Sequence, residues 1–186
     1  ISAYTLALKV SSFFFVLPMF IQFMGAVLLN HVERTQEAEL HLSRILGLNA
    51  AISLLQFCFY LCFGTLLLRF FGDSNAYTYT LGLVLNVGVL LLNLTRPVSS
   101  YLMVKAPLRE VFLSAHVPTL TFALFAYPLC TYLYGSMGTA WASLLSYGLL
   151  GALLVRFALK MKYKILRPRF DFSIVLQAVG LSERMK

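Results

Sequence analysis

The chain has 186 residues, of which 60% are hydrophobic and 12% charged, and its formal net charge is +8. A soluble domain carries about 25% charged residues, so this composition excludes an ordinary soluble protein and predicts an all-α integral membrane protein. The basic residues stand at the ends of apolar runs and in a C-terminal cluster. That distribution fits the positive-inside rule of membrane proteins and predicts no nucleic-acid partner.

Two apolar runs separated by a polar connector open the chain. The first predicted span covers residues 3–30, with Lys9 near its start and Pro18 inside it. A membrane helix tolerates proline when neighbouring groups satisfy the carbonyl that the proline leaves free. The connector His31–Arg44 mixes both signs of charge, which is typical of a solvated helical connector; a regulatory or gating loop is the alternative. The second predicted span covers residues 45–68.

The third apolar run contains a cation. After a predicted helix C-cap at Gly72, the span covers residues 77–104 and includes Arg96, which Pro97 follows directly. A charge at the bilayer centre costs roughly 2.5–3.5 kcal/mol on insertion scales, so we expect Arg96 to face water, a partner or a substrate. Its guanidinium is suited to holding a phosphate through two hydrogen bonds. The alternative is that Arg96 extends to the inner interface beside Lys105.

Two further spans, residues 111–134 and 137–159, are joined by a very short uncharged link and predict a tight helical hairpin. His116, in the first of them, is expected to be a neutral imidazole that hydrogen bonds within the bundle. Small residues on the last predicted helix are spaced three and four apart, so they share one face: Gly135, Gly138, Thr139, Ala142, Ser143 and Ser146. Small faces let membrane helices approach closely, and we expect this one to pack against the preceding helix.

The C-terminal residues 165–186 form a basic tail, either an amphipathic helix on the membrane surface or a disordered end. Placing this tail in the cytoplasm also places the basic loops after the first and third spans inside. Lys9 and Arg69 then remain outside. The predicted location is the cell (inner) membrane, with several spans and a cytoplasmic C-terminus. Five spans put the N-terminus outside, which predicts at least one further helix upstream.

No catalytic constellation emerges from the sequence. The seven acidic residues all lie outside the predicted spans, and the three histidines are scattered, whereas a membrane-embedded enzyme needs such groups clustered at a dry site. Cys58 and Cys62 lie four residues apart but lack acidic or histidine neighbours, so apolar packing is favoured over a metal site. We expect no enzymatic activity, no cofactor and no metal.

The candidate substrate-binding residues are Arg96 and Lys9. For Lys9, the alternative is that it marks the outer interface. Uncharged polar residues lie in or beside the spans: Gln22, Asn30, Asn49, Gln56, Asn86 and Asn93. Each is expected to hold neighbouring helices together through hydrogen bonds.

Three segments resemble a known family: AYTLALKVSSFFFVLPMF, LLLRFFGDSNAYTYTLGLVL and YLYGSMGTAWASLLSYGLLGALL. They resemble the C-terminal lobe of the polysaccharide biosynthesis (O-antigen) flippases, within the multidrug/oligosaccharidyl-lipid/polysaccharide exporter superfamily. The resemblance covers residues 3–164. It implies that this chain is a fragment of a twelve-helix, two-lobe transporter and supplies helices eight to twelve.

The resemblance also implies a function. Such a protein moves an isoprenoid-pyrophosphate-linked oligosaccharide across the cytoplasmic membrane for polysaccharide export. Its partners are membrane lipid, the lipid-linked oligosaccharide and the missing N-terminal lobe. Lys9 matches a basic family position that would face the cavity between the lobes, whereas Arg96 matches no firm family motif.

Two other functions stay open. A multidrug/cation antiporter of the same superfamily would favour buried carboxylates. A membrane subunit of a polysaccharide-assembling glycosyltransferase would carry a large loop with acidic residues or clustered arginines.

Overall fold

A computed structural model describes residues 3–31, 35–73 and 75–162, with side chains described for 3–23, 38–73 and 75–162. The predicted C-terminal tail, residues 165–186, and Asn30's side chain lie outside these residues. The elements are α1 (Ala3–His31), α2 (Thr35–Phe70), α3 (Ala76–Lys105), α4 (Leu108–Val111), a π-helical turn (Phe112–His116) and α5 (Val117–Lys160). Four stretches within the described residues are long and apolar enough to cross a membrane: Ala3–Phe23, Ala38–Phe70, Ala76–Lys105 and Leu108–Lys160. The all-α prediction is confirmed, and these helices fit a membrane protein.

The polar connector is largely part of a packed helix. It is helical from Thr35 onward, as expected, so α2 begins well before the second predicted span. The side chains of residues 38–44 are buried or partly buried rather than fully exposed, so this part of the connector is less solvated than predicted. The reason is that Ala38, Leu42 and Ile45 share one helix face and pack into a buried cluster with Leu102 of α3. Their spacing of four and three residues is that of a core-facing stripe.

Helix α3 lies at the centre of the bundle, in contact with α1, α2 and α5. Asn86 of α3 donates a hydrogen bond to Ser11 at 3.2 Å, and fourteen residues later Ser100 accepts one from Gln22 at 2.8 Å. Contacts that advance together along both helices mean that α1 and α3 run parallel. The predicted role of Asn86 and Gln22 as links between helices is confirmed.

Helix α2 runs antiparallel to α3. Near the start of α3 the ring of Tyr79 stacks on Tyr60, with the centroids 5.7 Å apart. Further along α3, Asn93 accepts a hydrogen bond from Asn49, which comes earlier in α2. Gly82 permits this packing because a Cβ at that position would overlap the hydroxyl of fully buried Tyr60.

The chain reverses direction within α5, at Gly135. This residue has φ 59° and ψ −139°, a conformation that is essentially restricted to glycine. Two hydrogen bonds join the halves on either side of it, Thr131–Thr139 at 2.8 Å and Tyr127–Ser143 at 2.9 Å. In a continuous helix, residues eight apart would be separated by about 12 Å. We therefore call residues 117–134 α5a and residues 136–160 α5b. The predicted hairpin is confirmed, and the small face of α5b packs against the preceding helix.

Helix α5b runs parallel to α3. A Cβ on Gly88 of α3 would lie 3.4 Å from Leu144, and a Cβ on Gly151 would overlap Thr95. These contacts advance in the same direction along both helices. Helices α1, α3 and α5b therefore share one direction, and α2 and α5a share the other. One end of the bundle, here called the basic end, contains Arg44, Lys105, Arg109, Arg156 and Lys160.

At the opposite end, a tight turn connects α2 to α3. Gly72 has φ 81°, and the N–H of Asp73 donates to the carbonyl of Leu68 at 2.9 Å, which confirms the predicted C-cap. The Asp73 carboxylate accepts hydrogen bonds from the N–H of Asn75 and from the hydroxyl of Thr78, both at 2.8 Å. These bonds, the backbone one first, hold the pKa of Asp73 below its usual range.

We expect a carboxyl titration of Asp73 to give a pKa below the ordinary value of about 3.9. Because the pKa is lowered on folding, the carboxylate's contribution to stability is present above the unfolded-state pKa. It is lost as the pH falls through the folded-state pKa. Carbon-13 NMR of aspartate-labelled protein measures this titration, and the substitution Asp73→Asn assigns the signal. Thr78→Val should shift the pKa upward; an unchanged value would rule out the contribution of the Thr78 hydroxyl.

Candidate functional site

Arg96 lies half-buried on α3, next to α1. The central carbon of its guanidinium is 5.0 Å from the centre of the Phe15 ring, a cation–π contact that stabilises by about 0.5–2 kcal/mol. Arg96 precedes Lys105 by nine residues, which is about 14 Å along a helix. The cation therefore lies in the part of the bundle nearer the basic end, held by an aromatic ring rather than extended fully into solvent.

A cleft of about 360 Å³ opens beside Arg96. The described residues that line it are Met19, Gln22, Phe23, Arg96 and Ser100. The amide of Gln22 donates to the hydroxyl of Ser100 at 2.8 Å, which fixes both polar side chains next to the guanidinium. An anionic group entering the cleft would meet a cation, an amide and a hydroxyl on an otherwise apolar surface.

A tyrosine approaches Arg96 from α5b. Tyr147 lies near the Arg96 guanidinium. The hydroxyl groups of Tyr127 and Ser143 are 2.9 Å apart and form a hydrogen bond. This hydrogen bond joins α5a to α5b.

Lys9 lies apart from this cleft. It is exposed on α1 and precedes Met19 by ten residues, or about 15 Å along the helix. It shares an exposed stripe with Phe13 and Phe20, whose side chains are 67% and 63% exposed. The structure therefore does not bring the two predicted substrate-binding residues into one pocket.

Two prolines and two asparagines form a linked arrangement across three helices. Pro97 has no N–H, so the carbonyl of Asn93, four residues earlier, lacks its helical donor. Asn49 of α2 donates to that carbonyl instead. Pro18 likewise frees the carbonyl of Phe14, and the side chain of Asn93 reaches it at 3.5 Å. The expectation that a neighbouring group satisfies the carbonyl freed by Pro18 is confirmed, and the carbonyl freed by Pro97 is satisfied in the same way.

Some polar atoms of these asparagines and of nearby residues are buried without a hydrogen-bond partner among the described residues: Asn49 Oδ1, Asn93 Oδ1, Ser53 Oγ and Gln56 Oε1. A cavity of about 10 Å³ adjoins Ser53, Gln56 and Asn93. Its volume is close to that of one water-sized sphere. The cavity is too small for a substrate, and its residues serve helix packing.

Two further sequence interpretations concern His116 and the cysteines. His116 lies in the π-helical turn, stacked on Phe112 with the ring centres 5.9 Å apart, and its buried Nε2 makes no hydrogen bond to a described residue. The expected bond within the bundle is thus not made at that nitrogen. Cys58 and Cys62 are exposed, so they do not fill the core. Among the described residues, no three His, Cys, Asp or Glu side chains are grouped to hold a metal.

Sequence reasoning identified Arg96 but missed Phe15, Ser100 and Tyr147 beside it. Phe15 and Tyr147 lie in apolar or mixed stretches without a distinguishing pattern, and they approach Arg96 only because of the register between helices. The spacing Arg96–Ser100, one helical turn, was the one available signal.

Among family models, curated proteins and solved structures, none matches this chain.

Proposed function

We propose that this chain is a transport lobe that crosses the membrane five times, with spans at residues 3–30, 45–68, 77–104, 111–134 and 137–159. The alternating helix directions support this proposal. Since α1, α3 and α5b run one way and α2 and α5a the other, each connection lies at the end of the bundle that a five-span topology requires. Helices α1 and α3 also begin and end within one residue of the predicted spans.

The concentration of cations at the basic end supports a cytoplasmic location for that end. The C-terminal ends of α1, α3 and α5b all lie there, and cytoplasmic loops carry an excess of Lys and Arg. On this proposal the protein lies in the cell (inner) membrane with its C-terminus in the cytoplasm. A further lobe of the same protein would complete a twelve-helix transporter.

The proposed activity is transfer of an isoprenoid-pyrophosphate-linked oligosaccharide across the membrane for polysaccharide export. The observation that carries it is the cleft at Arg96, where a half-buried guanidinium lies beside Gln22 and Ser100. Such a group inside a membrane bundle marks a substrate pathway in many transporters, and its planar fork of donors fits a pyrophosphate. Lys9, on the exposed stripe of α1, would face the cavity between the two lobes.

We expect Arg96→Gln to lower transport at least tenfold, because one lost hydrogen-bonded ion pair is worth about 1.5–3 kcal/mol. Arg96→Lys should retain part of the activity, since it keeps the charge but loses the bidentate geometry. Transport is measured as export of surface polysaccharide in cells, together with accumulation of lipid-linked oligosaccharide in the inner leaflet.

The matched control is Arg69→Gln, which removes an exposed arginine at the opposite end of the bundle. It should leave export unchanged. Normal export by Arg96→Gln at a normal protein level would remove the cleft from the substrate path and contradict the proposed activity.

A further inference from the structure

A second recess, an apolar groove, runs along the outside of the bundle between α3 and α5b. It measures about 500 Å³, and its lining residues are Leu91, Thr95, Tyr147, Gly148, Gly151, Ala152, Val155, Arg156 and Leu159. Glycine and alanine form its base, because Gly151 packs so closely on Thr95 that a Cβ would overlap it. Larger residues stand on either side, and the lining is almost entirely apolar.

The length of the groove matches one leaflet of a bilayer. From Tyr147 to Leu159 the lining follows α5b for twelve residues, which is about 18 Å. Half of a hydrocarbon core of about 30 Å is about 15 Å. The groove therefore extends from near the middle of the membrane to its surface on the basic side.

Two cations stand where the groove meets that surface. Arg156 lines its end, and Lys160 follows one helical turn later; both are exposed. A membrane helix laid in the groove would place an apolar flank against both charges and would leave them without partners. An acyl chain that carries an anionic group at one end matches both parts of this surface, namely the apolar length of the groove and the two cations at its end.

We propose that this groove binds an anionic glycerophospholipid from the leaflet on the basic side. One acyl chain lies along Gly148, Gly151 and Ala152, and the phosphate contacts Arg156 and Lys160. The site is separate from the Arg96 cleft, and it requires only that the helices lie in a membrane. It therefore stands or falls independently of the proposed transport activity.

The test is native mass spectrometry of the full chain in mixed micelles containing equal amounts of phosphatidylglycerol and phosphatidylcholine. The wild-type protein should retain one phosphatidylglycerol in preference to phosphatidylcholine. Arg156→Gln combined with Lys160→Gln should lower retention of phosphatidylglycerol about 25-fold, since each basic residue near an anionic lipid surface contributes about fivefold. Ala152→Phe, which fills the groove, should lower retention of both lipids.

Two control variants separate the site from general effects. Arg69→Gln removes a cation at the opposite end of the bundle, and Leu124→Phe enlarges an exposed side chain outside the groove; neither should change retention. Unchanged phosphatidylglycerol retention in the double variant would overturn the proposal. So would displacement of the phospholipid by an equal concentration of isoprenyl phosphate, which would assign the groove to the isoprenoid.

Discussion

Replacing Gly138 with alanine is expected to lower the free energy of unfolding by about 3 kcal/mol, at the upper end of the range for overpacking. A Cβ at this position would overlap the carbonyl group of Cys130 and would lie 3.1 Å from the Cβ of Tyr134. Both obstacles belong to α5a, and the first is backbone, so no side-chain rotation relieves the clash. The hairpin must open or shift. Unfolding in lipid bicelles, followed by circular dichroism, measures the loss.

Gly148→Ala is the matched control, since it makes the same change in the same helix. A Cβ there would meet only Leu91 Cδ1 at 3.7 Å, an ordinary van der Waals contact. We expect this variant to be neutral or slightly more stable, because alanine is the better helix former. Equal stability of the two variants would contradict the close approach of α5a and α5b.

The reversal at Gly135 can also be observed directly by cross-linking. In a background without native cysteines, the pair Thr131→Cys and Thr139→Cys should form a disulfide, since the two threonine hydroxyl oxygens are 2.8 Å apart. A continuous helix would hold these positions about 12 Å apart along its axis and would prevent the bond. Absence of the cross-link under oxidising conditions would rule out the hairpin.

Replacing Asn49 with leucine is expected to cost about 1–2 kcal/mol of unfolding free energy. Leucine has a similar size but leaves the carbonyl of Asn93, which Pro97 has deprived of its helical donor, without any partner in an apolar interior. Pro97→Ala restores an N–H to α3 at the position that serves this carbonyl. In the Pro97→Ala background, Asn49→Leu should therefore cost much less. This double-mutant cycle is measured by unfolding the wild type, the two single variants and the double variant.

Ser53→Ala provides a reference for this cycle. Ser53 lies one turn after Asn49 on α2 and is also buried, but its hydroxyl has no hydrogen-bond partner among the described residues. Its removal should cost little and should be insensitive to Pro97→Ala. If the cost of Asn49→Leu were the same with and without Pro97, the carbonyl of Asn93 would not be the group that Asn49 serves.

The sequence predicted the ends of α1 and α3 closely because polar residues and a cap border continuous apolar runs there. It predicted the helical connector before the second span but not how far that connector packs into the bundle. The charges between His31 and Arg44 concealed the spaced apolar residues Ala38 and Leu42, whose burial depends on partners in α3 and α5. A window of charge and hydropathy cannot detect a stripe this narrow, whereas a count of helical spacing would have found it.

For the candidate site, the sequence predicted the cation but not its surroundings. The position of Arg96 relative to the end of α3 follows from counting residues. The contact with Phe15 depends on the register between α1 and α3, which is set by bonds such as Asn86–Ser11. Asparagines were expected to join helices, yet which carbonyls they reach depends on the same register and became evident only in three dimensions.

The double role of Asn93 determines which parts of the bundle can move. The backbone carbonyl of Asn93 accepts a hydrogen bond from α2, and its side chain donates one to α1. Displacing either helix relative to α3 would therefore leave a carbonyl in the apolar interior without a hydrogen-bond partner. These three helices are thereby braced to move as one rigid body. The described contacts between α3 and α5b are mainly apolar, with close approaches at Gly88 and Gly151. Apolar contacts can be remade at a new register without unpairing a polar group, so movement within the lobe would be easiest there.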